Sequence, residues 1–297
     1  MYPAPFDYHR PATLNEALHL LTTLGGAATV LAGGQSLIPM MKLRVGEFRH
    51  VVDIGRLSGL AYIERRGDTL HIGALARHAQ IAASPIAQEI PLLADVAGGI
   101  ADRQVRTMGT IGGGLAMADS SACWPTGLRT AGAKAVCTGP KGVRTVTIDE
   151  LILDSYATCL DGDELITEIQ VPLPAPGSGA AYIAFKRSAA AYPTVAVGMM
   201  LELDGDSCRR SRIVLGGAGA TTVVSSEAES VLRGSAISTE LLEKAASVIV
   251  ATSSPPSDAR GSESFKRAML RSLVVEAGTR ALVRARGEQL TGGHRYA

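Results

Sequence analysis

Two glycine-rich stretches decide the fold of this chain: AGGQSL at residues 32–37 and TIGGG at residues 110–114. The apolar run 28–32 predicts a short buried strand that leads into the first stretch. Glycine adopts positive φ and lets a backbone approach a ligand closely, so several main-chain N–H groups can converge on an anion. Gln35, Ser36 and Thr110 add side-chain donors. Either loop alone is a common turn, whereas the two together suggest a diphosphate site.

The better-known phosphate-binding motifs do not fit these loops. Neither loop is G-x-G-x-x-G or a P-loop, so neither a Rossmann unit nor a P-loop is expected. Gly217-Ala218-Gly219 follows another apolar run, but Thr222 stands where the motif needs its third glycine. We therefore expect only a structural turn at that point.

The bulk composition is that of a globular protein. Apolar residues make up 46% and charged residues 19% of the 297 residues, and at roughly 100 to 200 residues per domain the length predicts two domains. Lys and Arg total 29 against 28 Asp and Glu, which gives no electrostatic case for nucleic acid or an anionic membrane as partner. Without a signal-peptide pattern or a run of roughly 20 apolar residues, we expect a cytoplasmic protein with no membrane span.

The cysteines are scattered along the chain, at Cys123, Cys137, Cys159 and Cys208. They form no C-x-x-C pair, and no histidine stands at metal-ligand spacing from them. We expect reduced, mostly buried thiols, with no metal site in this chain. An iron–sulfur cluster is not expected either, because such clusters need closely spaced thiolates.

Hydrophobic periodicity predicts mixed helices and strands. A capping box at 13–16 and apolar spacing predict a helix that ends before Gly25-Gly26, and Pro39 argues against regular structure after the first glycine loop. Ser262 is expected to cap a long final helix whose arginines face solvent. Pro172 to Gly179 is the expected linker between two domains, 1–176 and 177–290. Further predicted elements are strands at 51–54, 69–72, 165–171, 195–203 and 212–215, a hairpin at 134–148, and helices from 91 and over 239–251.

A set of longer motifs resembles the FAD-binding medium subunits of the molybdenum hydroxylases, the family of carbon monoxide dehydrogenase, nicotine dehydrogenase, quinoline oxidoreductase and xanthine dehydrogenase. The resemblance spans nearly the whole chain and keeps the motifs in order. The motifs are FDYHRPATLNEAL, LAGGQSLIPMMKLR, IGALARHAQI, DRQVRTMGTIGGGLAMAD, LITEIQVP and PPSDARGSESFKRAMLRSL.

The resemblance implies an α+β fold with a two-lobed FAD-binding domain of the vanillyl-alcohol-oxidase/PCMH type, its lobes at about 1–56 and 57–176, followed by a smaller α+β C-terminal domain. It implies FAD in the groove between the lobes, with no catalytic residue in this chain. Five of the residues that the resemblance places near FAD also have a purely structural interpretation. Ile100, Val105 and Ile166 could be core residues, Lys186 a surface charge, and Tyr192 a packing aromatic. The implied cofactor-binding residues are Leu31, Ala32, Gly33, Gly34, Gln35, Ser36, Leu37, Ile100, Val105, Thr110, Ile111, Gly112, Gly113, Gly114, Asp119, Cys123, Ile166, Lys186 and Tyr192.

Two positions depart from the family pattern. Gly114 stands where asparagine is usual, and Cys123 stands near a usual aspartate, so an amide and a carboxylate are missing from the expected site. Asp119, Ser120 and Ser121 are the candidates to replace them, and Cys123 is the candidate for a neutral thiol beside the cofactor. These departures make FAD retention the first property to test.

The resemblance also implies partners: a large subunit with a molybdenum cofactor and a small subunit with [2Fe-2S] clusters, assembled as a dimer of heterotrimers. Electrons would pass from the clusters through FAD to an external acceptor, while substrate is oxidised in the large subunit. Two alternatives stay open on the sequence. One is a self-contained flavin oxidoreductase with its own small substrate, and the other is a scaffold whose flavin site has decayed.

Overall fold

The computed structural model describes residues 2–288, 290 and 294–296, the last three by their backbone only. Its first sheet is parallel and consists of β1 (Asp7–His9), β2 (Ala28–Leu31) and β3 (His50–Asp53), with β3 in the middle. Helix α1 (Leu14–Leu24) packs against this sheet, a 3-10 turn at Gly25–Ala27 links it to β2, and α2 (Leu37–Leu43) follows the first glycine loop.

Helix α1 forms as the sequence predicts. The Thr13 hydroxyl accepts the N–H of Glu16 at 3.2 Å, and Leu18 and Leu21 are buried in the core of the first lobe. The expectation that Pro39 prevents regular structure is wrong, because it lies in the first turn of α2, where an N–H has no intrahelical acceptor to lose.

A second, antiparallel sheet forms the other side of the groove. Its strand order is β4-β5-β10-β6-β7, and a 3-10 turn at Ser58–Leu60 precedes it. The helices between β5 and β6 pack on one another and bring the second glycine loop next to the first lobe. The strands are β4 (Ile63–Arg66), β5 (Thr69–Gly73), β6 (Lys134–Gly139), β7 (Gly142–Thr147) and β10 (Leu165–Pro172), with a small pair β8 (Ile152–Asp154) and β9 (Ala157–Thr158). The helices are α3 (His78–Ala83), α4 (Pro85–Gln88), α5 (Pro91–Gly99), α6 (Arg103–Met108), α7 (Ile111–Ala116), α8 (Cys123–Ala131) and α9 (Ile148–Leu151).

The C-terminal part has its own sheet and its own apolar core. Strands β11 (Ser178–Lys186), β12 (Val195–Asp204) and β13 (Ser207–Gly216) are antiparallel, and β14 (His294–Tyr296) pairs with β11 in parallel. Helices α10 (Ser226–Leu232) and α12 (Glu263–Ala285) pack on this sheet, and α11 (Thr239–Ala251) packs against both of them. Leu270, Val274 and Ala277 of α12 are fully buried.

Most predicted elements are found within a few residues of their expected positions. Ser262 caps α12, its hydroxyl accepting the N–H of Phe265 at 3.2 Å. The expected linker is shorter than predicted, because β10 runs to Pro172 and β11 begins at Ser178. The expectation that the arginines of α12 face solvent is wrong for Arg284, whose side chain is 7% exposed and pairs with Asp95. Helical periodicity predicts which residues of α12 share a face, but it does not predict that Arg284 on the charged face packs against the buried carboxylate of Asp95.

Candidate functional site

A groove of about 530 Å³ lies between the two lobes, and the segment after β11 closes its third side. The first glycine loop follows β2 on one wall, and the second runs into α7 on the opposite wall. The volume falls within the range of about 300 to 1,000 Å³ that small-molecule sites occupy. The lining is largely apolar, with a few polar side chains such as Asp119, Glu164 and Lys186.

The fold brings nearly all the predicted site residues to this groove. Leu31 and Ile111 lie outside its lining: Leu31 ends β2, and the side chain of Ile111 is fully buried in the core of the second lobe. Ser120 and Ser121 are also outside the lining. The predicted residues that line the groove are Ala32, Gly33, Gly34, Gln35, Ser36, Leu37, Ile100, Val105, Thr110, Gly112, Gly113, Gly114, Asp119, Cys123, Ile166, Lys186 and Tyr192.

The first loop presents a row of backbone donors. Gly34 has φ +70, which a side chain rarely permits, and this turns the chain between β2 and α2. A Cβ on Gly33 would overlap the carbonyl oxygen of Met108 and lie 2.8 Å from Cα of Gly109, so the two loops touch through backbone alone. Within residues 2–288, the N–H groups of residues 33–37 donate to no protein acceptor. They are free to bind an anion.

The second loop does not present free backbone N–H groups as the first loop does, although the sequence predicts the same role for both. The N–H of Ile111 donates to the carbonyl of Ala76 at 3.0 Å, and that of Gly112 donates to Ala74 at 2.9 Å. The N–H of Gly113 donates to the Thr110 hydroxyl at 3.2 Å. These donors are already satisfied, two of them by carbonyls of the segment after β5 and the third by the capping hydroxyl of Thr110. The glycines of this loop serve close packing instead, and a Cβ on Gly112 would lie 2.6 Å from Cβ of Ala74.

Lys186 brings a buried ammonium group to the groove, so the alternative that it is a surface charge is wrong. Its side chain is 1% exposed and Nζ donates to the carbonyl of Gly99. Burial lowers the pKa of Lys186 below its usual range, and Arg106 adds to this effect. Tyr192 is much more exposed than Lys186: 46% of its surface is accessible, and it lies at the mouth of the groove.

The two departures from the family pattern both lie on α7 and α8, where they face the groove. A Cβ on Gly114 would lie 3.1 Å from Cδ1 of the Trp124 indole, so the indole occupies the space of a larger side chain. Cys123 is 5% exposed, and burial raises the pKa of its thiol, which is therefore neutral near pH 7. Of the candidate replacements, Asp119 lines the groove and accepts a hydrogen bond from Tyr156 at 3.2 Å.

Sequence reasoning missed His78, Trp124 and Glu164 among the polar and aromatic lining residues. Arg144 hydrogen-bonds Glu164 at 2.8 and 2.7 Å and lowers the pKa of that carboxyl. Trp124 could have been noticed as the single tryptophan of the chain beside the ADSSAC stretch. His78 lies inside a quoted motif, IGALARHAQI, but one histidine at the start of a short helix gives no sequence signal.

The described residues contain neither a helix long and apolar enough to cross a membrane nor a group of three His, Cys, Asp or Glu side chains placed to hold a metal ion. The described cysteines are free thiols, and Cys159 is the one that is not fully buried.

Two protein-family profiles match the chain in succession. The FAD binding domain in molybdopterin dehydrogenase matches residues 4–174, and the CO dehydrogenase flavoprotein C-terminal domain matches residues 180–281. The lobed groove, its glycine loops and the separate C-terminal sheet thus define a flavin-nucleotide-binding protein of this class.

Characterised proteins are similar over nearly their full length. The carbon monoxide dehydrogenase medium chain of Afipia carboxidovorans is 37% identical over 96% of this chain and 100% of its own. A 6-hydroxypseudooxynicotine dehydrogenase complex subunit alpha from Paenarthrobacter nicotinovorans is 36% identical over 96% of this chain and 97% of its own. A solved carbon monoxide dehydrogenase structure from Hydrogenophaga pseudoflava superimposes with a TM-score of 0.93 at 38% identity, covering 96% of this chain and 99% of that one.

The chain belongs to the family of FAD-binding medium subunits of the molybdenum hydroxylases. The resemblance seen in the sequence motifs is thereby confirmed, as are the α+β fold, the two kinds of domain and the FAD cofactor. The protein is a flavoprotein subunit of an oxidoreductase. The role of each groove residue toward FAD stays a prediction.

Proposed function

We propose that this chain holds FAD in the groove between its lobes, with the diphosphate on the N–H groups of residues 33–37. That row of unsatisfied donors is the observation that carries the proposal, because an oxyanion is the acceptor that converging backbone N–H groups favour. The second glycine loop closes on the first through Gly33 and Gly109 and shapes the opposite wall. The residues present therefore fit the cofactor despite Gly114 and Cys123.

The other lining residues have supporting roles in this proposal. Lys186 places a cation against the cofactor in a site from which water is largely excluded. Ile100, Val105 and Ile166 provide apolar walls, and Tyr192 covers the open side. Asp119 takes over the polar contacts that Gly114 and Cys123 do not provide. The bound FAD supplies the redox chemistry, and these side chains bind it, orient it and exclude water.

We further propose that the chain works in a cytoplasmic dimer of heterotrimers. A large subunit would hold the molybdenum cofactor, and a small subunit would hold [2Fe-2S] clusters that deliver electrons to the FAD of this chain. Similarity to carbon monoxide dehydrogenase medium chains over almost the full length supports this assembly. The division into domains 1–176 and 177–290 belongs to the same proposal, and the described sheets support it because none has strands on both sides of residue 177.

The test is purification of the chain from its native host through a tag, followed by analysis of co-purifying chains, flavin, molybdenum and iron. We expect two further chains, one FAD per copy of this chain, and a mass equal to two copies of each chain. Isolation as a lone flavin-bearing monomer that turns over a small substrate would instead support a self-contained oxidoreductase. An assembled complex that has metals but lacks a flavin spectrum would show that the groove no longer binds FAD.

A further inference from the structure

A hydrogen-bonded indole–imidazole pair forms part of the groove wall. Nε1–H of Trp124, on α8, donates to Nδ1 of His78, at the start of α3, over 3.1 Å. The ring centroids are 5.9 Å apart and the ring planes are tilted by 48°. His78 is 6% exposed and Trp124 2% exposed, and both line the groove. Neither residue belongs to the glycine loops.

The bond from Trp124 sets which nitrogen of His78 carries the proton. An indole N–H can only donate, so Nδ1 must be an acceptor and the proton of the neutral ring lies on Nε2. Burial, together with a smaller effect of the nearby charge of Arg106 on α6, lowers the pKa of His78 to about 4. At neutral pH the ring is therefore uncharged and has a single donor, Nε2–H.

This donor lies where the two glycine loops touch. A Cβ on Gly109 would lie 2.6 Å from Nε2 of His78, and Gly109 is also the residue whose Cα faces Gly33 across the contact. The hydrogen bonds found within residues 2–288 give Nε2 no protein acceptor. Because His78 lines the groove and its Nε2–H has no protein acceptor, an oxygen of a ligand bound in the groove is a favourable partner for this donor.

We propose that His78 is a cofactor-binding residue, whose Nε2–H donates to an oxygen of the FAD diphosphate or ribityl chain, and that Trp124 is its positioning residue. This inference rests on the proposed function, because it places the FAD phosphates on the first glycine loop. The pair supplies a side-chain donor to the wall where Gly114 provides none. It also explains why a bulky indole lies against Gly114.

The first experiment measures FAD affinity in the full-length chain after the flavin has been removed. Quenching of Trp124, the single tryptophan, reports binding, and flavin fluorescence replaces it in the Trp124→Phe variant. His78→Phe keeps a ring and removes the donor, and we expect its Kd for FAD to rise about tenfold, the loss of one hydrogen bond to a ligand oxygen. His78→Gln retains an N–H and should stay within about threefold of the wild type. His71→Gln is the matched control, because His71 pairs with Glu168 at 2.9 Å and does not line the groove.

The second experiment detects the tautomer directly by nitrogen-15 NMR of histidine-labelled protein. We expect the His78 signals to show Nε2–H before FAD is added and the proton shift of Nε2–H to change on binding. Trp124→Phe releases Nδ1, so we expect a mixture of tautomers and a Kd between those of wild type and His78→Phe. A role in folding alone would leave the Nε2–H signal unmoved by FAD.

The outcomes separate this inference from the proposed function. If wild type binds FAD and His78→Phe binds it equally well, His78 is not a cofactor-binding residue although the chain remains a flavoprotein. If wild type does not bind FAD even in the assembled complex, the proposed function itself is wrong. If His78→Phe does not fold, the NMR response of wild type decides, and an unchanged Nε2–H signal would overturn the inference.

Discussion

Asp95 on α5 and Arg284 on α12 form a buried bidentate ion pair between the flavin-binding part and the C-terminal part, with N–O distances of 2.5 and 2.9 Å. Both side chains are about as buried as the apolar core, at 6% and 7% exposure. The pair is also anchored to the backbone of β11, since Asp95 accepts the N–H of Tyr182 and Arg284 donates to the carbonyl of Ala180. It therefore joins α5, β11 and α12.

We expect Arg284→Met to lower the free energy of unfolding by about 3 to 5 kcal/mol, because it leaves the charge of Asp95 buried without its partner. The double variant Asp95→Leu with Arg284→Met should recover much of this loss, since no charge then remains buried. Urea unfolding of the single and double variants measures the difference. Glu47→Gln is the control, because its pair with Arg49 is 83% and 74% exposed and is expected to add nothing measurable. A double variant as unstable as the single one would show that the buried charge is not the cause.

Gly33→Ala is expected to abolish tight FAD binding. The added Cβ overlaps the backbone of Met108, so the two loops must separate and the N–H groups of residues 33–37 lose their alignment. Loss of two hydrogen bonds to the diphosphate, at about 1.5 kcal/mol each, raises Kd about 100-fold. Isothermal titration of flavin-free protein with FAD measures this.

Gly26→Ala is the control for that substitution, because Gly26 lies in the same lobe with no atom within 4 Å of an added Cβ. Its Kd for FAD should equal that of the wild type. Equal flavin content in Gly33→Ala and wild type would show that the contact between the loops does not matter for binding.

Gly114→Asn is expected to destabilise the protein although asparagine is the usual family residue. Its Cβ would lie 3.1 Å from the Trp124 ring, which cannot retreat without stretching its bond to His78. Overpacking of this kind costs about 1 to 3 kcal/mol. Thermal unfolding of the apoprotein measures this destabilisation as a decrease in melting temperature. A larger decrease means that the indole of Trp124 is held more firmly in place.

Combining Gly114→Asn with Trp124→Leu tests this steric explanation. The smaller side chain frees the space, so the double variant should be more stable than the sum of the two single changes predicts. Gly98→Asn is the control, since an added Cβ there meets no atom within 4 Å. Strict additivity of the two changes would rule out competition for one space.

Local sequence patterns predicted the elements of this fold well, because capping residues, turn glycines and apolar spacing act over a few neighbours. Thr13 and Ser262 start their helices as expected, and the hairpin turn falls at Gly139 to Gly142. The effect of Pro39 does not follow from its identity alone, because it depends on the place of the proline within the helical turn. The burial of Arg284 does not follow from local sequence, because its partner Asp95 is 189 residues away in the sequence.

The groove was predictable only as far as its motifs extend. The first glycine loop was predicted with its free donors, whereas the satisfied donors of the second loop depend on carbonyls of Ala74 and Ala76 in a distant segment. The pairing of His78 with Trp124 is not predictable from local sequence either, because their hydrogen bond joins two helices and the two residues are 46 positions apart. The resemblance to the family identifies the cofactor. It does not show which side chains of this chain replace the asparagine and the aspartate that are usual at the positions of Gly114 and Cys123.

His78 makes stability depend on pH in the acid range. Burial lowers its pKa to about 4 in the folded state, against about 6.5 in the unfolded chain, so between these values the unfolded chain binds a proton that the folded chain does not. Stability is thus retained above about pH 6.5 and falls as the pH drops toward 4, by about 3 kcal/mol for this group. Urea unfolding of apoprotein at several pH values should show this loss in wild type and a loss smaller by that amount in His78→Gln. Parallel pH profiles for the two proteins would mean that His78 takes up its proton as readily in the folded state as in the unfolded chain.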